Sequence, residues 1–183
     1  MGYLSPIPDN NNIYDIYIVE MSAGYYGVNA PDNSVTNASF IQIDNEYETA
    51  DYGDISGLDA MKVTVAHEFF HAVQRAYIDV QPNFYQYDHD TYFMELSSTW
   101  FEDVAYPEVN DYVNWAGPYI NNPEVEISEY DPEGQHDAGY ALALFGHYLT
   151  NIDQNVMRRI WQIIGGVDVD PSYKGYVRDC ISN

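Results

Sequence analysis

His67-Glu68-Phe69-Phe70-His71 sets two imidazoles four residues apart, with a carboxylate directly after the first. On a helix, residues four apart stand one turn apart on one face. Two ring nitrogens placed that way can share one tetrahedral metal ion, most often zinc. Glu68 points about a quarter-turn round the helix from His67. From there its carboxylate reaches a metal-bound water rather than the metal. That is where a general base stands when water attacks a carbonyl. A motif this short also occurs by chance in ordinary helices, so its surroundings decide.

Those surroundings predict a helix. Gly57-Leu58 breaks the chain and Asp59 is a cap candidate, because its side chain can accept bonds from the free amides of a first turn. Ala60 to Tyr77 holds no Gly and no Pro, and Met61, Val65, Phe69, Val73 and Ala76 recur at helical spacing as an apolar stripe. A catalytic zinc needs a third protein ligand and one open position. Glu95 is the leading candidate. It follows His71 by 24 residues and is flanked by Phe93, Met94 and Leu96. A glutamate in apolar company is rare unless paired or on a metal. Glu102, His89 and Asp90 are its rivals.

The remaining elements fall on either side of this helix. Tyr14 to Glu20 and Ala38 to Asp44 alternate with β-branched and aromatic residues and read as strands. Ala23 to Val28 reads as a second short strand or bend, and Asn29 to Asn37 as loop with a turn at Pro31-Asp32-Asn33-Ser34. After the metal helix, Phe93 to Val104 reads as helix. Residues 110–116 read as a short one broken by Gly117-Pro118. Ala138 to Thr150 forms a third helix with Leu142, Phe145 and Leu149 on its core face. Asp153 can cap a fourth, running to Ile164. Strands first and helices after argue α+β. The 183 residues read as one domain, a strand-rich lobe over 1–78 ending in the metal helix and a helical lobe over 79–183, with the C-terminus a candidate trimmed edge of something longer.

Charge narrows the partners. The chain carries 29 Asp+Glu against 6 Lys+Arg, a net −23, which repels nucleic acid and anionic membranes. No run of 18 apolar residues is present, so no membrane insertion is expected. Acid-rich loops suit calcium, and Asp88-His89-Asp90 and Asp168-Val169-Asp170 are either Ca2+ sites or solvated acids. One cysteine, Cys180, allows no intrachain disulfide. A monomer is the default.

His-Glu-Phe-Phe-His followed by Phe93-Met94-Glu95-x-x-Ser98-Thr99-Trp100-x-Glu102-Asp103 resembles the gluzincins, zincin metallopeptidases whose third ligand is a Glu on a downstream helix. The nearest resemblance is to bacterial secreted metallopeptidases of the MXAN-6640 type. Tyr14 to Val19 and Ser39 to Asn45 are similar to the strands before their metal helix, and Tyr140 to Leu149 to their Tyr-containing helix, with Ala141 where Gly is usual. The resemblance spans residues 13–150. It implies a zincin-like fold with a mixed sheet, a zinc site of His67, His71 and Glu95, Glu68 as base and proton shuttle, a peptide or protein substrate, and secretion. It also implies that the strand holding Ile41 and Gln42 is the cleft edge on which a peptide lies by strand addition. Many gluzincins carry an Asp four residues after the ligand Glu to orient a zinc histidine. Thr99 stands there in this chain, which leaves Thr99, Glu102 and Asp103 as candidates for that bond. Tyr140 is the candidate donor to the oxyanion, with His136 second. His147 reads as a helix-face residue. The rival to an enzyme is a catalytically silent zincin-like binding or adhesive module, and a third reading has the N-terminal segment covering the cleft. An intact Glu68 argues for the enzyme.

Overall fold

The structure is a computed structural model that describes residues 1–22, 24–48, 55–78, 91–121, 123–124 and 138–166. Three strands, β1 (Ile16–Val19), β2 (Gly27–Pro31) and β3 (Ser39–Asp44), form one mixed sheet in the order β1-β3-β2. β1 runs parallel to β3, with Ile16 opposite Ile41 and Ile18 opposite Ile43. β2 runs antiparallel to β3, with Gly27 opposite Ile43 and Asn29 opposite Ile41. The helices follow: α1 (Gly57–Arg75), α2 (Thr91–Ala105), α3 (Tyr112–Trp115), α4 (Gly117–Asn121), α5 (Ala138–Ala141), α6 (Ala143–Ile152) and α7 (Val156–Ile164). The expected α+β class holds, with strands first and helices after.

α1 lies between two layers. One side packs on β3 and β2, the other on α2. Burial on opposite sides explains why the predicted single stripe fails. Phe69 is 36% exposed while Phe70 is fully buried, and Ala60, Val63, Ala66, Ala72 and Val73 are buried with it. The helical core gathers Phe70, Val73 and Tyr77 of α1 and its turn, Phe93, Leu96 and Trp100 of α2, Leu142, and Met157, Ile160 and Trp161 of α7. Truncating a buried aromatic such as Phe70 to Ala costs about 3–5 kcal/mol. Tyr3 packs edge-on to Phe70 at 5.4 Å, so this part of the N-terminal segment lies on the core.

Four local expectations need correction. Asp59 does not cap α1: the cap position is Ser56, with no side-chain bond, and Asp59 in the first turn pairs with Lys62 at 3.0 Å. The second strand lies at 27–31, reaching into residues read as loop. Pro31 is tolerated there because β2 is an edge strand. The helix expected over 138–150 is interrupted at Leu142. α7 begins after Asn155, and Asp153 instead accepts the Asn155 N–H at 2.9 Å.

The strand holding Ile41 and Gln42 is not an edge. β3 is central. Its backbone bonds β1 on one side, through Ile41 N–H to Asp15 O, and β2 on the other, through Asp44 N–H to Tyr26 O. Ile41 is also fully buried. Neither residue can pair with an incoming peptide, so their assignment to substrate binding is withdrawn. The edge beside α1 belongs to β2, and Arg75 donates to the Asn29 carbonyl there at 3.3 Å. The Asp44–Tyr26 and Asp32–Ala38 bonds fix the ladder so that Val28 and Ala30 face β3. Gly27, Asn29 and Pro31 then turn their backbone groups outward.

Candidate metal centre

α1 delivers His67 and His71 one turn apart, and α2 crosses it with Glu95 and Glu102 two turns apart on one face. Three atoms converge. His67 Nε2 lies 3.0 Å from His71 Nε2 and 3.0 Å from Glu95 Oε2, and His71 Nε2 lies 3.5 Å from Glu95 Oε2. An ion bonded at about 2.0–2.2 Å to tetrahedral ligands sets them about 3.3–3.6 Å apart, close to this arrangement.

The far sides of both rings fix which nitrogens are bare. His67 Nδ1 stands 2.6 Å from Glu102 Oε1, a carboxylate that only accepts, so Nδ1 carries the proton. His71 Nδ1 stands 2.9 Å from Gln74 Oε1. Gln74 Nε2 donates to the Met94 carbonyl at 2.9 Å, which sets the amide orientation and leaves its oxygen to accept from His71. Ser97 and Ser98 hydroxyls also accept from Gln74, and Ser98 reaches His71 Nδ1 at 3.2 Å. In the neutral rings both Nε2 atoms are therefore lone pairs. They face each other and a carboxylate, and such an arrangement needs a cation between them.

The acid–base balance reports the same demand. Burial works against charge on His67, yet Glu102 and Glu95 raise it well above 6.5. Burial likewise opposes charge on His71, which Glu95 nonetheless raises. Burial pushes Glu95 up, but His71 and His67 outweigh it and hold the carboxyl far below its ordinary range. Burial raises Glu102 to about 7, with the His67 bond opposing. Two imidazoles and one carboxylate suit zinc or a neighbouring transition metal better than calcium, which prefers oxygen alone.

Glu68 is 9% exposed, and its stem lies against Gly27 of β2. Tyr140, on α5, stacks on His67 with ring centroids 5.1 Å apart and planes 5° apart. Its hydroxyl stands 3.4 Å from His67 Nε2. Burial, then the charges of Glu95, Glu68 and Glu102, raise this phenol well above 10, so its O–H stays available as a donor. Trp115 packs against Tyr140 with ring centroids 5.3 Å apart and planes tilted by 44°.

Glu102, offered by the sequence as ligand or support, supports: it faces Nδ1 and not Nε2. Thr99 does not. Its hydroxyl is buried with no hydrogen-bond partner, one turn short of Glu102. Asp103 turns instead to His147, 3.5 Å away, and His147 lies against Tyr112. Gln74 was missed by sequence reasoning, because an amide beside Arg75 reads as an ordinary polar helix residue. Asp88, His89, Asp90, His136, Asp168, Asp170 and Cys180 lie outside the described residues.

The sequence matches no protein-family model, no curated protein and no solved structure. The centre is thus defined by its own donors. His67, His71 and Glu95 are the one group of three His, Cys, Asp or Glu residues among the described residues whose ligand atoms all fall within 4.8 Å. Among those residues no helix is long and apolar enough to cross a membrane.

Proposed function

We propose that the chain is a zinc-dependent metallopeptidase of the zincin type, acting on peptide or protein substrates outside the cell. The observation that carries the reading is the convergence of His67 Nε2, His71 Nε2 and Glu95 Oε2, with each ring oriented by a buried acceptor at Nδ1. A structural zinc site is normally closed by four protein ligands, whereas three leave a position for water. The two acid-rich stretches offered for calcium, 88–90 and 168–170, lie outside the described residues.

Zinc, when bound, supplies a Lewis acid for the scissile carbonyl and lowers the pKa of nearby water. Glu68, directly after the ligand His67, takes a proton from the attacking water and hands it to the leaving amine. Tyr140 donates its O–H to the developing oxyanion without bringing charge. Glu102 and Gln74 keep the two rings aimed. The substrate backbone pairs with the outward groups of Gly27 on the β2 edge, beside Glu68 and short of Asn29, whose carbonyl accepts from Arg75. The net −23 field favours substrates with basic groups.

The experiment is a peptide-library digest by the zinc-loaded wild type and by Glu68→Gln. Cleavage should fall by about 10²–10⁴ in the variant while its zinc content holds. A wild type that binds zinc but cleaves nothing would favour the silent binding module.

A further inference from the structure

Two glycines touch the working glutamates. Gly27 sits on β2 and Gly139 on α5, and neither has the positive φ that favours glycine. Their reason lies in space. A Cβ on Gly27 would stand 2.6 Å from Thr64 Cγ2 and 2.9 Å from Glu68 Cγ. A Cβ on Gly139 would stand 2.2 Å from Glu95 Cβ, 2.6 Å from Tyr92 O and 3.0 Å from Leu96 N. Real Cβ atoms essentially never approach closer than 3.0 Å.

We infer that Gly27 and Gly139 are positioning residues that act on different parts of the centre, Gly27 seating Glu68 and Gly139 seating Glu95 together with Tyr140. The inference rests on the metallopeptidase reading. Gly27 abuts Glu68 Cγ, the carbon that bears its carboxylate, and its missing side chain faces α1, so the outward edge of β2 is untouched by a substitution. Gly139 abuts the root of Glu95 and the α2 backbone, and its neighbour Tyr140 stacks on His67. A methyl there has only backbone and a Cβ to push against. It must move α5 away from α2, carrying Tyr140 off the ring and shifting the third ligand.

The prediction is a split between the two variants. Gly27→Ala lowers kcat about a hundredfold, as a base displaced by about 1 Å does, with KM and zinc affinity near wild type. Gly139→Ala weakens zinc about 10–100-fold. It also changes the visible spectrum of the cobalt-substituted protein, which Gly27→Ala leaves as in wild type. Gly165→Ala is the control. Its Cβ would stand 2.8 Å from Tyr77 Cδ1, in the helical core, so it lowers Tm and neither of the other properties. Thr64→Ser on top of Gly27→Ala removes the closest clash and keeps the Glu68 one, so Tm recovers and kcat stays low.

Zinc affinity is read by chelator competition, metal geometry by cobalt absorption, and kcat and KM on a cleaved peptide. Recovery of kcat with Tm in the Thr64→Ser double variant would reduce Gly27 to packing. Wild-type zinc affinity and cobalt spectrum in a folded Gly139→Ala would overturn its role, and the Gly27 comparisons stand alone should Gly139→Ala not fold. A wild type that takes up no zinc refutes the metallopeptidase reading itself, a result distinct from all of these.

Discussion

Glu102→Gln removes one charge and almost no volume from a side chain that is 5% exposed. The wild-type carboxylate accepts the His67 Nδ1 proton at 2.6 Å. A hydrogen bond to a charged group contributes about 1.5–3 kcal/mol and a neutral one about 0.5–1.5. The amide oxygen can still accept, so the net loss is about 1–1.5 kcal/mol, close to tenfold in zinc affinity. Glu102→Ala goes further, leaving a buried Nδ1–H with no acceptor, and about a hundredfold is expected, at the upper end for outer residues of metal sites. Affinity is measured by competition with a chromogenic chelator at fixed pH, with circular dichroism to confirm the fold. Glu102→Gln and Glu102→Ala both within twofold of wild type would refute the claim that Glu102 governs His67.

Gln74→Leu removes the 2.9 Å acceptor of His71 Nδ1, leaving only the longer Ser98 contact, and removes one donor to the Met94 carbonyl, which Ser97 still serves; the loss of these hydrogen bonds costs about 1–3 kcal/mol, read as a lower denaturant midpoint in the metal-free protein. Tyr140→Phe keeps the stack on His67 and loses the donor, so kcat should fall about 10²–10³ with zinc affinity unchanged; weakened zinc instead would make Tyr140 part of the metal-holding set. The metal-free protein should lose stability as pH rises from 5 to 8. Raised folded pKa values at His67, His71 and Glu102 stabilise at low pH, and that gain disappears as pH passes through them. Glu95, held low, contributes stability that is fully present above its ordinary value of 4.5 and is lost only below it, so it adds no slope in this window. Thermal melts with and without zinc check the sign, because zinc displaces the ring protons and its own stabilisation grows with pH.

The centre was more legible in the sequence than the sheet was. The spacing of His67 and His71 becomes geometry as soon as the segment is helical, and the helix required only local signals. Glu95 was legible because a carboxylate among Phe93, Met94 and Leu96 has to be compensated. Strand order was not legible. β3 looks like any alternating strand, and its central place arises from pairing with β1 and β2, which no local pattern encodes. Asn29 and Pro31 disguise β2 as loop, because an edge strand tolerates residues that a central one rejects. The supporting bonds were half legible. Glu102 was named beside Thr99 and Asp103, but choosing among three neighbours on one helix needs the angle at which α2 crosses α1. Gln74 escaped because an amide carries no metal signature, although its role follows from the tautomer His71 needs.

Metal content tests the central claim most directly. Purified wild type, dialysed against zinc and then against buffer, should carry about one zinc per chain by mass spectrometry. Glu95→Ala, folded by circular dichroism, should lose it or hold it far more weakly. No zinc in the wild type, or equal zinc in both proteins, would contradict a site built from His67, His71 and Glu95.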